Sequence, residues 1–237
     1  MEHNNVGKLP ISKRLLCCAA QVPQGARVAD IGTDHGYLGI SLLQSGRASF
    51  VHACDLREKP LHRAMENAVR YGVAEKMRFT RADGLSGIDP SEVDTVVCAG
   101  MGGDLITQIV AAAPWLKTPR YLLILQPQSS GNDLRRTLTE AGFGIERETL
   151  AEDGGFLYNI LCMRFGSAEH LTAGEQYLSR QLLQSGSPYL GAYAARIENA
   201  LRLTVEGITA AKDPAAHLRL EYYKTALEQV REMRKAL

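Results

Sequence analysis

Acidic residues closing successive short apolar runs carry the strongest chemical signal in this 237-residue sequence. The first lies in Val28-Ala29-Asp30-Ile31-Gly32-Thr33-Asp34-His35-Gly36-Tyr37-Leu38, where a strand runs into a glycine-bearing turn and a helix begins near Gly36. Glycine permits a sharp turn and a close approach of backbone to ligand. A carboxylate at the strand end is placed to accept hydrogen bonds from an ammonium group. The segment departs from a Gly-x-Gly-x-x-Gly fingerprint at Asp34, which stands where a middle glycine is common. A dinucleotide pyrophosphate requires helix N–H groups and no nearby anion. Asp34 therefore disfavours a nicotinamide dinucleotide and suits a cationic sulfonium. Taken alone, the segment also reads as a glycine-rich turn with a carboxylate cap.

It does not stand alone. Asp55 ends the run Val51-His52-Ala53-Cys54-Asp55, where a carboxylate offers two acceptors in a fixed fork to a pair of ribose hydroxyls. Its plainer role is a cap for the helix from Glu58. Asp83-Gly84 closes the next run, at the position where an adenine amino group would be met, although an Asp-Gly turn there needs no ligand. Ligands of open α/β sheets bind at the carboxyl ends of the strands, so acids at successive strand ends define a carboxylate-lined site. Two further loops are placed where they could meet an acceptor. Ala99-Gly100-Met101-Gly102-Gly103 follows the fourth run, and Gln126-Pro127-Gln128 the fifth. The first lacks the Asn/Asp-Pro-Pro-aromatic segment of many amino-methyltransferases and offers backbone groups and one polarizable side chain, or glycines for close packing. His35 invites a general-base reading, against the commoner packing role of a turn histidine. Arg14 is suited to a phosphate or a cofactor carboxylate, whereas Lys13 reads as solvated helix face.

These residues need a frame. Runs at Arg27–Gly32, Ser49–Leu56, Met77–Ala82, Asp94–Ala99 and Tyr121–Pro127 alternate with helical patterns at Tyr37–Gln44, Glu58–Tyr71, Asp104–Ala113 and Gly131–Ala141. Apolar on both faces and separated by helices, the runs predict a buried parallel sheet. A helix over 8–24, with Ser12 near its start and Val22-Pro23 closing it, precedes them. Phe143–Leu150 and Phe156–Phe165 then follow with only Ala-Glu-Asp-Gly-Gly between them. Parallel strands need a crossover of about a dozen residues or more, so these two must pair antiparallel. A β/α series that closes in such a hairpin separates class I methyltransferases from nicotinamide-binding Rossmann domains. Past Gly166 the sequence turns helical, with Tyr189–Ala211 and Pro214–Ala236 reading as a helical hairpin or short coiled coil. Leu218, Tyr222, Thr225, Leu227 and Val230 supply the spacing of the second helix, and Lys212-Asp213-Pro214 the break, with Asp213 as its cap. The expected fold class is α/β: a class I methyltransferase Rossmann-like sheet ending in an antiparallel β-hairpin, with residues 1–166 as one domain and 167–237 as a helical one.

Bulk properties narrow the partners. A net charge of +1 is unlike the strongly basic balance usual for a dedicated non-specific DNA binder, because phosphate neutralisation supplies most of that affinity, so any nucleic-acid partner must be met by a local patch. No stretch approaches the roughly 20 apolar residues of a membrane span, and the first residues do not read as a signal peptide. Five scattered cysteines, Cys17, Cys18, Cys54, Cys98 and Cys162, form no Cys-x-x-Cys pair and imply free thiols in a reducing cytoplasm rather than a disulfide frame or metal site.

Read in order, Asp30-Ile-Gly-Thr-Asp-His-Gly-Tyr-Leu, Asp55, Asp83-Gly84, Ala99-Gly-Met-Gly-Gly, Gln126-Pro127, Glu152-Asp-Gly and the helical tail resemble the TrmK family over essentially the whole chain. The sequence departs from that pattern at Gly36, often alanine, and Gly39, often proline. The resemblance implies bacterial methylation of tRNA at N1 of adenine 22, with S-adenosyl-L-methionine as cofactor. It implies that Arg14, Asp30, Gly32, Asp34, His35, Gly36, Asp55, Asp83, Gly84, Ala99 and Gly100 serve the cofactor. Gln126, Pro127, Met101 and Gly102 would place the adenine, and the tail would hold the tRNA body. Two other classes compete: a methyltransferase for a small molecule or protein side chain, and a non-catalytic module that binds cofactor while the helical tail mediates assembly. Oligomeric state is not legible.

Overall fold

The computed structural model describes residues 9–166, 168–211 and 217–237. Ser12 caps the first helix, α1 (Lys13–Gln21), its side chain accepting from the Leu15 amide at 3.3 Å. Strand β1 (Ala26–Ile31), helix α2 (Tyr37–Gln44), strand β2 (Ala48–Asp55), helix α3 (Glu58–Arg70) and strand β3 (Met77–Arg81) follow. Next come β4 (Thr95–Met101), α4 (Gly103–Ala111), β5 (Leu122–Pro127) and α5 (Gly131–Glu140). The series closes with β6 (Phe143–Asp153) and β7 (Phe156–Phe165). The helix expected over 8–24 is thus shorter at both ends, and β4 runs two residues past Ala99 into the glycine loop.

The seven strands order as β3-β2-β1-β4-β5-β7-β6. Strands β1 to β5 pair parallel, and β7 enters antiparallel beside β5, with Leu123 opposite Met163. β6 and β7 form the expected hairpin, longer than the sequence suggested: Asp153 pairs with Phe156, so only Gly154 and Gly155 make the turn. Strand order reverses at β1 and β4, and a ligand crevice opens at such a switch point.

Period-two alternation explains why the runs are apolar throughout. Ala29, Ile31, Val96, Cys98, Leu123 and Leu125 point to a core shared with α4 and α5. Val28, Val97, Leu122 and Ile124 point to the opposite core, shared with α1 and α2. All ten are essentially excluded from water, each large aliphatic side chain contributing about 1.5–3 kcal/mol by burial.

Beyond the sheet lie α6 (Arg180–Leu183), α7 (Leu190–Ala210) and α8 (Leu220–Lys235). Leu190, Ala194, Leu201, Ala226, Leu227 and Val230 bury a third core that also takes in Leu150 of β6. Glu198 of α7 pairs with Arg231 and Arg234 of α8 at 3.1 and 2.5 Å, which fixes the two long helices as an antiparallel pair. The unbroken second helix expected from Pro214 is corrected at its start. Leu218 and Arg219 form a turn, Leu218 is 86% exposed, and the helix resumes at Leu220. The predicted break and cap at Lys212-Asp213-Pro214 lie outside the described residues. Among the described residues no helix is long and apolar enough to cross a membrane, and all five cysteines are free thiols.

A buried polar network joins the helices to the sheet. Arg135 of α5 and Glu148 of β6 form a fully buried bidentate pair. Glu148 also accepts from Ser179 Oγ at 2.6 Å and from Asn159 Nδ2 at 2.8 Å. Asn159 in turn accepts from the Tyr193 hydroxyl at 2.6 Å, and Arg135 donates to the Gln176 carbonyl at 3.1 Å. Burial opposes the charge on Arg135, but the Glu148 carboxylate overrides it and raises the guanidinium pKa.

Candidate active site

A cavity of about 330 Å³ opens at the carboxyl ends of β1 and β4. Its floor is the turn after β1. Gly32 and Thr33 donate their amides to the Cys54 carbonyl at 2.9 and 3.0 Å, which anchors the turn to the end of β2. Gly32 has φ +73°, and a Cβ there would lie 2.9 Å from Cε of Met101. The left-handed backbone calls for glycine, and the Met101 side chain packs across it from the end of β4. Asp34 also has positive φ, +51°. This explains why glycine is common at its position and why aspartate, which tolerates that conformation, can replace it.

Carboxylates and cations meet in the cavity. Asp30 is 3% exposed and accepts from the Thr33 hydroxyl at 2.7 Å. Burial pushes its carboxyl up to about 6, with the nearby Asp55 adding to the effect. Asp34 lies at the rim, its carboxylate 3.7 Å from His35 Nε2. The His35 ring stacks on Tyr37 at 5.5 Å, and its carbonyl accepts from Asn67 at 2.9 Å. These contacts fit a wall residue and give no sign of a general base. Arg14 reaches in from α1 against Gly100, and the exposed Arg57 is a second cation of the lining.

The expected residues divide by position. Arg14, Asp30, Gly32, Asp34, His35, Ala99 and Gly100 line this cavity. Asp55 sits just behind it, 5% exposed, accepting the Asp34 amide at 3.3 Å and the Arg57 amide at 2.9 Å. Gly36 is buried as the residue preceding α2. Asp83 and Gly84 are elsewhere: they line a separate cavity of about 590 Å³ with Leu105 and Ile109 of α4.

Gln126 does not present its amide to an acceptor. It is fully buried, its oxygen taking Arg14 and the Gly100 amide (3.0 Å), while its nitrogen donates to the Pro127 carbonyl at 2.8 Å. It is a positioning residue, and the exposed member of Gln126-Pro127-Gln128 is Gln128. Met101 packs across Gly32, and Gly102 caps α4. Thr33, Tyr37, Arg57 and Gln128 also line the cavity, and Leu15 and Leu38 complete it. Arg57, two residues past Asp55, and Gln128 at the end of its turn had a positional signal; Thr33 and Tyr37 had only their place in the first loop.

Gln128 also lines a second, wider cleft of about 450 Å³, bounded by Pro127, the β6–β7 hairpin at Phe156 and Tyr158, and Arg196 of α7. The two spaces share this one residue and lie side by side. Among the described residues no group of three or more His, Cys, Asp or Glu is placed to hold a metal ion.

A carboxylate-lined crevice at the switch point of a sheet that ends in an antiparallel hairpin defines a Rossmann-like methyltransferase, and the family model described as a methyltransferase domain matches residues 11–161. A tRNA (adenine(22)-N(1))-methyltransferase of Bacillus subtilis is 30% identical over 84% of this chain and 80% of its own length. The crystal structure of Bacillus subtilis TrmK superposes with a TM-score of 0.85 at 26% identity, covering 96% of this chain and all of that one. A Streptococcus pneumoniae protein described as a tRNA methyltransferase, crystallised with S-adenosyl-L-methionine, gives a TM-score of 0.80 at 30% identity over 94% of this chain and 99% of that one. The chain belongs to the TrmK family of methyltransferases.

Proposed function

We propose that this protein transfers the methyl group of S-adenosyl-L-methionine to N1 of adenine 22 in tRNA. The observation that carries the reading is the junction of the two spaces at Gln128: a compact charged cavity opening beside a wider cleft walled by aromatic side chains and Arg196. The similarity to the Bacillus subtilis enzyme over most of both chains supports the same acceptor.

The donor groups fit the cofactor. Asp30 and Asp34 are acceptors for an ammonium in a region that favours a cation, Asp55 supplies a fork behind the loop for ribose hydroxyls, and Arg14 matches a carboxylate. When bound, S-adenosyl-L-methionine supplies a methyl group activated by its sulfonium charge. Adenine N1 carries a lone pair and no proton at neutral pH, so no side chain has to act as a base. The work of the chain is orientation and exclusion of water, which together account for many kcal/mol of a displacement barrier. Ala99 and Gly100 line the cavity from the end of β4, and Arg14 is fixed by Gln126. The base must leave its stack to arrive.

Residues 1–166 act as the methyltransferase domain and 167–237 as a helical, coiled-coil-like arm that meets the tRNA body through shape and phosphate contacts. The protein works in the cytoplasm, where its thiols stay reduced.

The deciding experiment is methyl transfer from labelled S-adenosyl-L-methionine to unmodified tRNA transcripts carrying adenine or guanine at position 22, with Asp55→Ala as control. Label on the adenine transcript alone, lost in the control, is the expected result. Cofactor binding without label on any transcript would overturn the tRNA reading and leave another acceptor, or a non-catalytic module, in its place.

A further inference from the structure

Tyr158 stands between the two spaces. Arg14, which lines the charged cavity, lies with its guanidinium carbon 5.4 Å from the centroid of the Tyr158 ring. Tyr158 itself lines the wider cleft. One side of the ring is thus held by a cation that Gln126 locks from below, and the ring is pinned in the partition. Two residues earlier on the same strand face, Phe156 is 63% exposed at the hairpin tip, its ring 6.5 Å from that of Tyr158. Phe156 and Tyr158 both line the wider cleft, so the exposed ring extends its aromatic wall to the rim.

We propose that the Tyr158 ring, with Phe156 at the outer rim, is the wall on which the unstacked adenine is held for methylation. The inference rests on the tRNA reading above. Four features favour a nucleotide base as the occupant, and the tRNA reading makes that base the adenine. The cleft volume of about 450 Å³ lies in the range of small-ligand sites, about 300–1,000 Å³. The cleft opens at Gln128 into the space with the cofactor-type donor set. Its wall is an aromatic face, which every base can stack on. Arg196, at the far side, is exposed and able to meet a flanking phosphate.

Stacking replaces what the base loses on leaving the tRNA, and it orients N1 in the plane perpendicular to the ring normal. In the transfer the N1 lone pair forms the new N–C bond as the S–C bond breaks. The positive charge passes from sulfur to the purine, and no proton moves. Tyr158 is then a substrate-holding residue whose contribution is a ring face; its hydroxyl is dispensable.

The test uses the full chain, with tRNA transcripts carrying adenine or its fluorescent isomer 2-aminopurine at position 22. Tyr158→Ala should lower kcat/KM for the adenine transcript about tenfold or more, the scale of one lost base–aromatic stack, while binding S-adenosyl-L-methionine as the parent does. The 2-aminopurine should be quenched when bound to the parent protein and bright with Tyr158→Ala. Tyr158→Phe should restore both readouts, and Phe156→Ala, at an exposed position, should raise KM with cofactor affinity unchanged. Unaltered kcat/KM and emission in Tyr158→Ala would overturn the proposal. Loss of cofactor binding in that variant would also do so, by assigning the ring to the other cavity. If the parent protein itself puts no methyl on adenine 22, the functional reading fails and the wall falls with it; normal methylation by the parent and all variants removes the wall alone.

Discussion

The guanidinium of Arg14 donates to Oε1 of Gln126, an oxygen that also takes the Gly100 amide at 3.0 Å. A single buried acceptor therefore links α1 to the end of β4 and holds Arg14, which lines the charged cavity with the exposed Arg57. Gln126→Leu keeps the volume and removes the acceptor, leaving a backbone N–H and a guanidinium without it. The expected cost is about 1–3 kcal/mol of folding stability. Affinity for S-adenosyl-L-methionine, followed by titration calorimetry, should fall about tenfold as Arg14 loses its fix. Gln126→Glu supplies an acceptor again and should recover most of the Arg14 contribution. Unchanged affinity in the leucine variant would reduce Gln126 to packing.

Asp30 makes stability and binding respond to pH in opposite directions. Its carboxyl rises from an ordinary 3.8 to about 6 in the folded protein, first because it is buried and then because Asp55 is near. The folded state holds this proton more tightly than the unfolded one, so stability without cofactor falls as pH rises from about 4 to about 6. The loss is on the order of 3 kcal/mol when the shift is converted directly. Cofactor binding needs the ionised form and should weaken as pH falls through about 6. Asp30→Asn should be the more stable protein at pH 7 without cofactor, and its weak binding should be independent of pH between 5 and 8, a range set by the shift itself. Thermal melts and binding isotherms across that range check both signs; parallel pH profiles for the two proteins would exclude Asp30 as the cofactor's acceptor.

Gly103 is held by contact rather than by its dihedral angles. A Cβ there would lie 2.6 Å from the Ser130 carbonyl oxygen and 2.8 Å from that of Ser129, both rigid backbone. Gly103→Ala must push the loop after β4 away from the loop after β5, at a cost of about 1–3 kcal/mol. It also displaces Gln128, where the two spaces meet. Gly154→Ala is the control, because its Cβ meets nothing within 4 Å and only its φ of +60° resists substitution, for about 1–2 kcal/mol. Similar melting temperatures with lost methyl transfer in Gly103→Ala alone would tie the loop contact to function. Equal activity in both would detach it.

The sheet was legible because its two-sided burial writes a local code. Val28, Ala29, Ile31, Val96, Val97 and Cys98 are apolar whichever core they face, and the short link to Phe156 forced the hairpin. Asp30 and Asp34 were legible for the same reason, since strand ends and turns are marked in sequence. Gln126 was visible as a residue and misread in role: its neighbours Arg14 and Gly100 are distant in sequence, and only the fold shows its oxygen spent on them. Asp83 shared a strand-end position with Asp30 and Asp55, yet it faces α4 instead of the first loop. Tyr158 gave no signal at all, because its partner Arg14 lies at the other end of the domain. Leu218 matched the helical spacing of the tail and failed because a local turn exposes it.

The Arg135–Glu148 pair tests whether the helical arm is fixed to the sheet by charge or by packing. Both side chains are fully buried, so removing one leaves the other unpaired at a cost of about 3–5 kcal/mol. Glu148→Ala should therefore be strongly destabilising in urea unfolding, more so than Ser179→Ala, which deletes one donor at 2.6 Å and should cost about 1–2 kcal/mol. The double variant Arg135→Met, Glu148→Leu should be milder than Glu148→Ala, because no charge remains stranded. It will not return to the parent value, since Ser179 and Asn159 lose their acceptor. Limited trypsin digestion at the exposed Arg196 reports on the arm directly, and cleavage should quicken in Glu148→Ala and stay slow in the double variant. If both cut alike while the sheet remains folded, the third core around Leu150 and Leu201 holds the arm by itself, and the buried pair serves only the sheet and α5.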